Sequence, residues 1–167
     1  AYSKSGNVNR NTLEVTGGEI RGGISGGEST TGNVKGNKVN FNNISVDTIN
    51  GGYSASGNAN ENEVNIDSGT VNWSTVTGNV NGNIVTINNG TVTYNAFGGY
   101  VNEGTGNASN SVLTLNNGKV GGYIEEDPVF YGVYGGRVCS GDTVNNSVNI
   151  NGGRVGAITG GYSLRAV

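Results

Sequence analysis

The chain has 167 residues, of which 32 are glycine, one is cysteine, one is proline and none is histidine or methionine. Its net charge is −3 with only 13% charged residues and no basic run, which removes the electrostatic footprint of a nucleic-acid-binding protein. No apolar stretch approaches the roughly 18 residues that cross a bilayer as a helix. A lone Cys139 leaves no intrachain disulfide framework and no cysteine metal cluster.

Helix is not expected anywhere, because Gly, Asn, Thr and Val dominate and all are poor helix formers. What organises the chain is an internal repeat. Its clearest copy is Gly57-Asn58-Ala59-Asn60-Glu61-Asn62-Glu63-Val64-Asn65-Ile66-Asp67-Ser68-Gly69-Thr70-Val71. Taking Val64 as the reference slot, the equivalents are Leu13, Val39, Val85, Leu113 and Val148, separated by 26, 25, 21, 28 and 35 residues in chain order. Two residues on stand Val15, Phe41, Ile66, Ile87, Leu115 and Ile150; seven on stand Ile20, Val46, Val71, Val92, Val120 and Val155. The Val-x-Ile alternation is a period-2 signal of a half-buried strand, and β-branched residues favour extended backbone.

Such strands are too short to stand alone. Stacking copy on copy pairs each with its equivalents and buries one apolar column. This predicts an all-β, single-domain, right-handed parallel β-helix (β-solenoid) of about six coils. The coils are 1–24, 25–49, 50–76, 77–97, 98–122 and 123–159, with 160–167 beginning a seventh. The second is the most divergent: Glu28 replaces Tyr in its Gly-Gly-Tyr turn, and Ile44 stands where the others carry glycine. The fourth lacks the Gly-Gly-Tyr-Ser segment, and the sixth has an expanded connection. The chain opens and closes at the same point of the cycle, as expected of a piece of a longer solenoid or of a subunit that stacks end to end.

Polar slots keep the register too. Asn11, Asn37, Asn62, Asn83, Ser111 and Asn146 lie two residues before the reference slot. Three after it lie Thr16, Asn42, Asp67, Asn88, Asn116 and Asn151. Stacked amides bond to one another along the axis of a cross-β array, so Asn42, Asp67, Asn88, Asn116 and Asn151 are read as a structural ladder in preference to a ligand groove. Gly-Gly-Tyr recurs at Gly51-Gly52-Tyr53, Gly98-Gly99-Tyr100, Gly121-Gly122-Tyr123 and Gly160-Gly161-Tyr162, with Tyr2 in the same turn. A stack of these tyrosines stabilises by itself; the functional alternative is an aromatic platform for sugar rings.

Residues 123–138 hold the only proline, the only acidic run and a cluster of aromatics. Insertions in repeat proteins map to loops on one face, often the binding face. Glu125, Glu126, Asp127, Phe130, Tyr131 and Tyr134 are therefore the candidate ligand-binding residues, with calcium at Glu125, Glu126 and Asp127 weighed and set below a plain binding loop. No metal site is assigned.

Catalysis finds no foothold. The carboxylates are scattered over different slots instead of converging as a glycosidase pair, and there is no histidine for acid–base work. No phosphate loop, HExxH or EF-hand spacing appears. A non-enzymatic chain without cofactor is expected.

The cycle Gly-Gly-Tyr-Ser-x-x-Gly-Asn-x-x-x-Asn-x-Val-x-Ile-x-x-Gly-x-Val, best seen in residues 51–71 and more weakly along the whole chain, resembles passenger regions of autotransporter-type surface proteins of Gram-negative bacteria. The resemblance implies a right-handed parallel β-helix displayed outside the cell, at the bacterial surface or secreted, as an adhesin or its stalk. The implied partners are a host or bacterial surface protein or glycan, with no membrane insertion of this segment. The alternative is a subunit of a self-assembling extracellular fibre, its partner another copy of itself added through the open solenoid ends.

Overall fold

The computed structural model describes residues 1–124 and 127–165. Among these residues every regular element is a strand and none is a helix. The strands form a fourteen-stranded sheet, a six-stranded sheet and a two-stranded antiparallel pair.

The six-stranded sheet is built from the reference slots. Its strands are Thr12–Val15, Lys38–Phe41, Glu63–Ile66, Ile84–Ile87, Val112–Leu115 and Ser147–Ile150. They pair in parallel in chain order, so Leu13, Val39, Val64, Val85, Leu113 and Val148 are successive partners. The same ladders align Val15, Phe41, Ile66, Ile87, Leu115 and Ile150. In the large sheet Ile20, Val46, Val71, Val92, Val120 and Val155 form a third column. Each strand thus pairs with its equivalent one repeat away, an arrangement consistent with a β-solenoid.

Alternation decides which side chains enter the core. Val39, Phe41, Val64, Ile66, Val85, Ile87, Leu113 and Leu115 are completely buried, while the residues between them face out. Removing such a side chain from water contributes about 1.5–3 kcal/mol, and the column joins them into one cluster reaching Val46, Val71, Val92 and Val120. A fourth column, Val8, Val34, Ala59, Val80 and Ala108, is also parallel and buried. Part of it forms a second, smaller cluster with Val101 and Val138.

Between the fourth column and the reference strand the backbone turns sharply. Arg10, Glu61, Asn110 and Asn145 sit there at φ of 51–56°, and Gly36 and Gly82 at φ 63° and 66°. One left-handed residue per repeat lets the next side chain, the Asn or, at 111, the Ser of the interior slot, point inward.

The expanded connection is an excursion. Gly122–Ile124 pairs antiparallel with Asp127–Tyr131, placing Tyr123 opposite Phe130. The chain then rejoins the parallel stack, where Val133–Ser140 lies on Ala96–Thr105 with Phe97 opposite Tyr134 and Tyr100 opposite Arg137. Tyr123 is therefore not in the Gly-Gly-Tyr column that its sequence suggests. The hairpin takes Gly121-Gly122-Tyr123 for its own pairing, and Gly135-Gly136-Arg137 fills the slot. Read along the stack, the column is Tyr2, Glu28, Tyr53, Thr77, Tyr100, Arg137, Tyr162. Tyrosine occupies alternate positions, so no tyrosine follows another directly.

Candidate functional site

Three asparagine ladders run across the repeats. The interior one is the most buried: Asn37, Asn62, Asn83 and Ser111 are completely shielded from water. The backbone N–H of Asn11 donates to Asn37 Oδ1 (2.9 Å), that of Asn37 to Asn62 Oδ1 (3.0 Å) and that of Asn62 to Asn83 Oδ1 (2.8 Å). Each amide nitrogen then reaches back to a carbonyl: Asn37 to Val8, Asn62 to Val34, Asn83 to Ala59 and Asn146 to Ala108. Every one of these buried polar atoms has a partner, which is the condition for tolerating them in a dry core.

This ladder explains the glycine pair opposite it. A Cβ on Gly52 would lie 2.6 Å from Asn62 Cγ, and one on Gly136 would lie 2.5 Å from Asn146 Nδ2. The serine that follows in Gly-Gly-Tyr-Ser has its own task. Ser54 Oγ donates to the Gly32 carbonyl one repeat earlier and accepts from the Gly57 N–H, both at 2.8 Å.

A second ladder lies outside, three residues past the reference slot. Asn88 Nδ2 donates to Asp67 Oδ1, Asn116 Nδ2 to Asn88 Oδ1 (2.8 Å) and Asn151 Nδ2 to Asn116 Oδ1 (2.7 Å). Asn42 Oδ1 instead accepts from Ser68 Oγ (2.7 Å). The third, also exposed, runs through Asn7, Asn33, Asn58, Asn79, Asn107 and Asp142.

Of the candidate ligand-binding residues, Glu125 and Glu126 lie outside the described residues. Asp127 and Phe130 enter only through the backbone pairing of the hairpin. Tyr131 packs its ring edge-to-face on Tyr94, centroids 5.0 Å apart. Tyr134 belongs elsewhere: it lies past the hairpin, in the parallel stack.

There it joins an aromatic cluster that the sequence reading did not assemble. Ala96, Val101, Val133 and Val138 point into the cores, so the residues alternating with them face outward. Phe97 stacks on Tyr100 (4.6 Å, 12°) and on Tyr134 (5.1 Å, 27°), and Tyr134 meets Tyr162 edge-on (6.5 Å, 65°). Arg137 sits among all four, with Cζ 5.8, 5.4, 5.9 and 5.7 Å from the centroids of Phe97, Tyr100, Tyr134 and Tyr162. Its Nε is buried with no hydrogen-bond partner among the described residues. Matching Val133-Tyr134-Gly135-Gly136-Arg137 to Ala96-Phe97-Gly98-Gly99-Tyr100 would have revealed this cluster; the more familiar Gly-Gly-Tyr at 121–123 hid it.

Comparison with protein-family models, with curated proteins and with solved structures found no match. Among the described residues no group of three or more His, Cys, Asp or Glu is placed to hold a metal ion. Among the described residues no helix is long and apolar enough to cross a membrane. Three other side-chain cations lie against carboxylates: Arg21 with Glu19, Lys35 with Glu61 and Lys38 with Glu63, at 3.2, 2.9 and 3.0 Å. Partial burial works against the charge of Glu63, but the Asn65 amide and the Lys38 ammonium together outweigh it and hold the carboxyl below its ordinary value.

Proposed function

We propose that the chain is a non-enzymatic structural and display module: a right-handed parallel β-helix of about six coils, of the autotransporter passenger type. It is exposed at the surface of a Gram-negative bacterium or secreted, and acts as an adhesin or its stalk. The observation that carries this reading is the set of in-register columns and hydrogen-bonded ladders that join repeat to repeat. Nearly every fixed residue of the repeat is spent on joining one copy to the next, which is what a rigid rod requires and a reaction centre does not. The hairpin of Gly122–Ile124 and Asp127–Tyr131 and the aromatic face with Tyr134 are the parts assigned to meet a host or bacterial protein or glycan.

Immunolabelling of intact cells producing the full-length natural protein tests the placement. Antibody raised against residues 1–165 should stain intact cells or the medium. Staining only after permeabilisation would overturn the reading.

End-to-end polymerisation is the second reading. It is favoured by exposed apolar side chains on the last described strands, Val144, Ile150, Ile158 and Leu164, at 46, 36, 59 and 54%. Electron microscopy of the purified chain decides: filaments support polymerisation, and uniform single particles remove it.

A further inference from the structure

We propose that Arg137 and the rings around it form a binding site for an acidic sugar, a hexuronate or its equivalent, with Arg137 reading the carboxylate. This rests on the display reading and names the ligand class for it. The cluster occupies three adjacent strands, Ala96–Thr105, Val133–Ser140 and Ile158–Arg165, on the outward side of the large sheet.

The guanidinium is held among rings. Four ring centroids lie 5.4–5.9 Å from Cζ. Stacking on rings fixes a guanidinium plane and strips water from it. Among the described side chains no carboxylate lies within ion-pair distance of Arg137, and unlike a solvated surface cation it is packed between rings. A partly dehydrated cation whose Nε has no hydrogen-bond partner among the described residues is a costly group to keep. It gains most from an anion that presents two oxygens to its fork.

The surroundings select the kind of anion. Phe97 is only 1% exposed and serves as the floor, Tyr100 and Tyr134 are half-buried, and Tyr162 is 41% exposed. Across the glycine pair Gly98-Gly99 the two outward columns meet directly, Phe97 stacking on Tyr100 at 4.6 Å. A ligand here meets ring surface and phenolic hydroxyls within one guanidinium's reach. A hexuronate offers a flat C–H face, hydroxyls and a carboxylate on one rigid ring. An aspartate or glutamate side chain offers the carboxylate on a flexible stem with no flat face.

The test uses the full chain and a hyaluronan tetrasaccharide, with its methyl ester and a tetraglutamate peptide as comparisons, all by calorimetric titration. The expected result is binding of the acid that is at least tenfold tighter than of the ester or the peptide. Arg137→Gln should abolish that preference, and Arg137→Lys, which keeps charge but not the fork, should recover only part of it. Tyr162→Ala removes an exposed ring and leaves the cores untouched, so it serves where Arg137 variants misfold; it should weaken the acid severalfold. Equal affinity for acid and ester, unchanged affinity in Arg137→Gln and Tyr162→Ala, tighter binding of the peptide, or no binding of the tetrasaccharide would each overturn the proposal. None of those outcomes touches surface staining of intact cells, so the two readings fail separately.

Discussion

Asn62 Oδ1 lies 3.0 Å from the backbone nitrogen of Asn37 and 3.0 Å from its amide nitrogen, accepting from both one repeat away. Truncating Asn62 leaves the Asn37 N–H and the Val34 carbonyl without partners in a completely buried region. An orphaned buried polar group costs about 1–3 kcal/mol, so Asn62→Ala should lose about 2–5 kcal/mol in urea unfolding. Asn88→Ala, on the exposed ladder, should lose no more than about 1 kcal/mol because water replaces the missing bonds. Equal losses would mean that burial is not what gives the interior ladder its weight.

Gly52 and Asn62 should be coupled. Gly52→Ala puts a methyl 2.6 Å from Asn62 Cγ, and neighbouring backbone is fixed by sheet pairing. The single variant should be destabilised by about 1–3 kcal/mol. In the Asn62→Ala background the obstacle is gone, so the second substitution should cost much less. A double-mutant cycle should show a coupling of about 1–2 kcal/mol; strict additivity would contradict the packing described.

Ser54 closes a joint between repeats through two bonds of 2.8 Å. Ser54→Ala should cost about 1–3 kcal/mol. The equivalent Ser29 makes the same pair of bonds to Gly6 and Gly32 at 2.9 Å, so Ser29→Ala should lie in the same range. Thermal or urea midpoints of the two variants are the comparison.

Arg10 adopts φ 56° at a slot that Asn fills at positions 110 and 145. A left-handed conformation costs an ordinary L-residue roughly 1–2 kcal/mol, and Asn less. Arg10→Asn should therefore raise stability by up to about 1 kcal/mol in the same assay.

The Lys38–Glu63 pair sets a pH dependence. Glu63 has a folded-state pKa below its ordinary value. Its stabilisation is therefore complete above the carboxylate range and is lost as pH falls through it. The side chains are 39% and 35% exposed, so screening limits the pair to about 1 kcal/mol or less. Between pH 6 and 3 the wild type should lose slightly more stability than Glu63→Gln. An identical slope in both would remove Glu63 from the acid response.

The apolar columns could be read from the residues because period-2 alternation and fixed spacing both survive in a linear string. Leu13, Val39, Val64, Val85, Leu113 and Val148 needed only to be counted. The fourth column was harder, since Ala59 and Ala108 in it carry little hydrophobic signal. Which asparagine slot faces inward was hidden too. Both slots keep the register equally, and only the left-handed residue just before Asn62 turns one of them into the core. The aromatic cluster escaped for a different reason. Arg137 stands where tyrosine was expected, and a hairpin had borrowed the motif that would have marked the place.

That hairpin separates Ala96 from its partner Val133 by 37 positions, yet the two strands meet residue for residue on both sides of the glycine pair. Neighbouring layers recognise one another by what lies inside the shared backbone ladder, and the length of the detour between them goes unread. A foreign peptide spliced in place of residues 123–130 should therefore ride on the outside of the scaffold without altering how the scaffold assembles. The site would serve as a natural socket for carrying cargo.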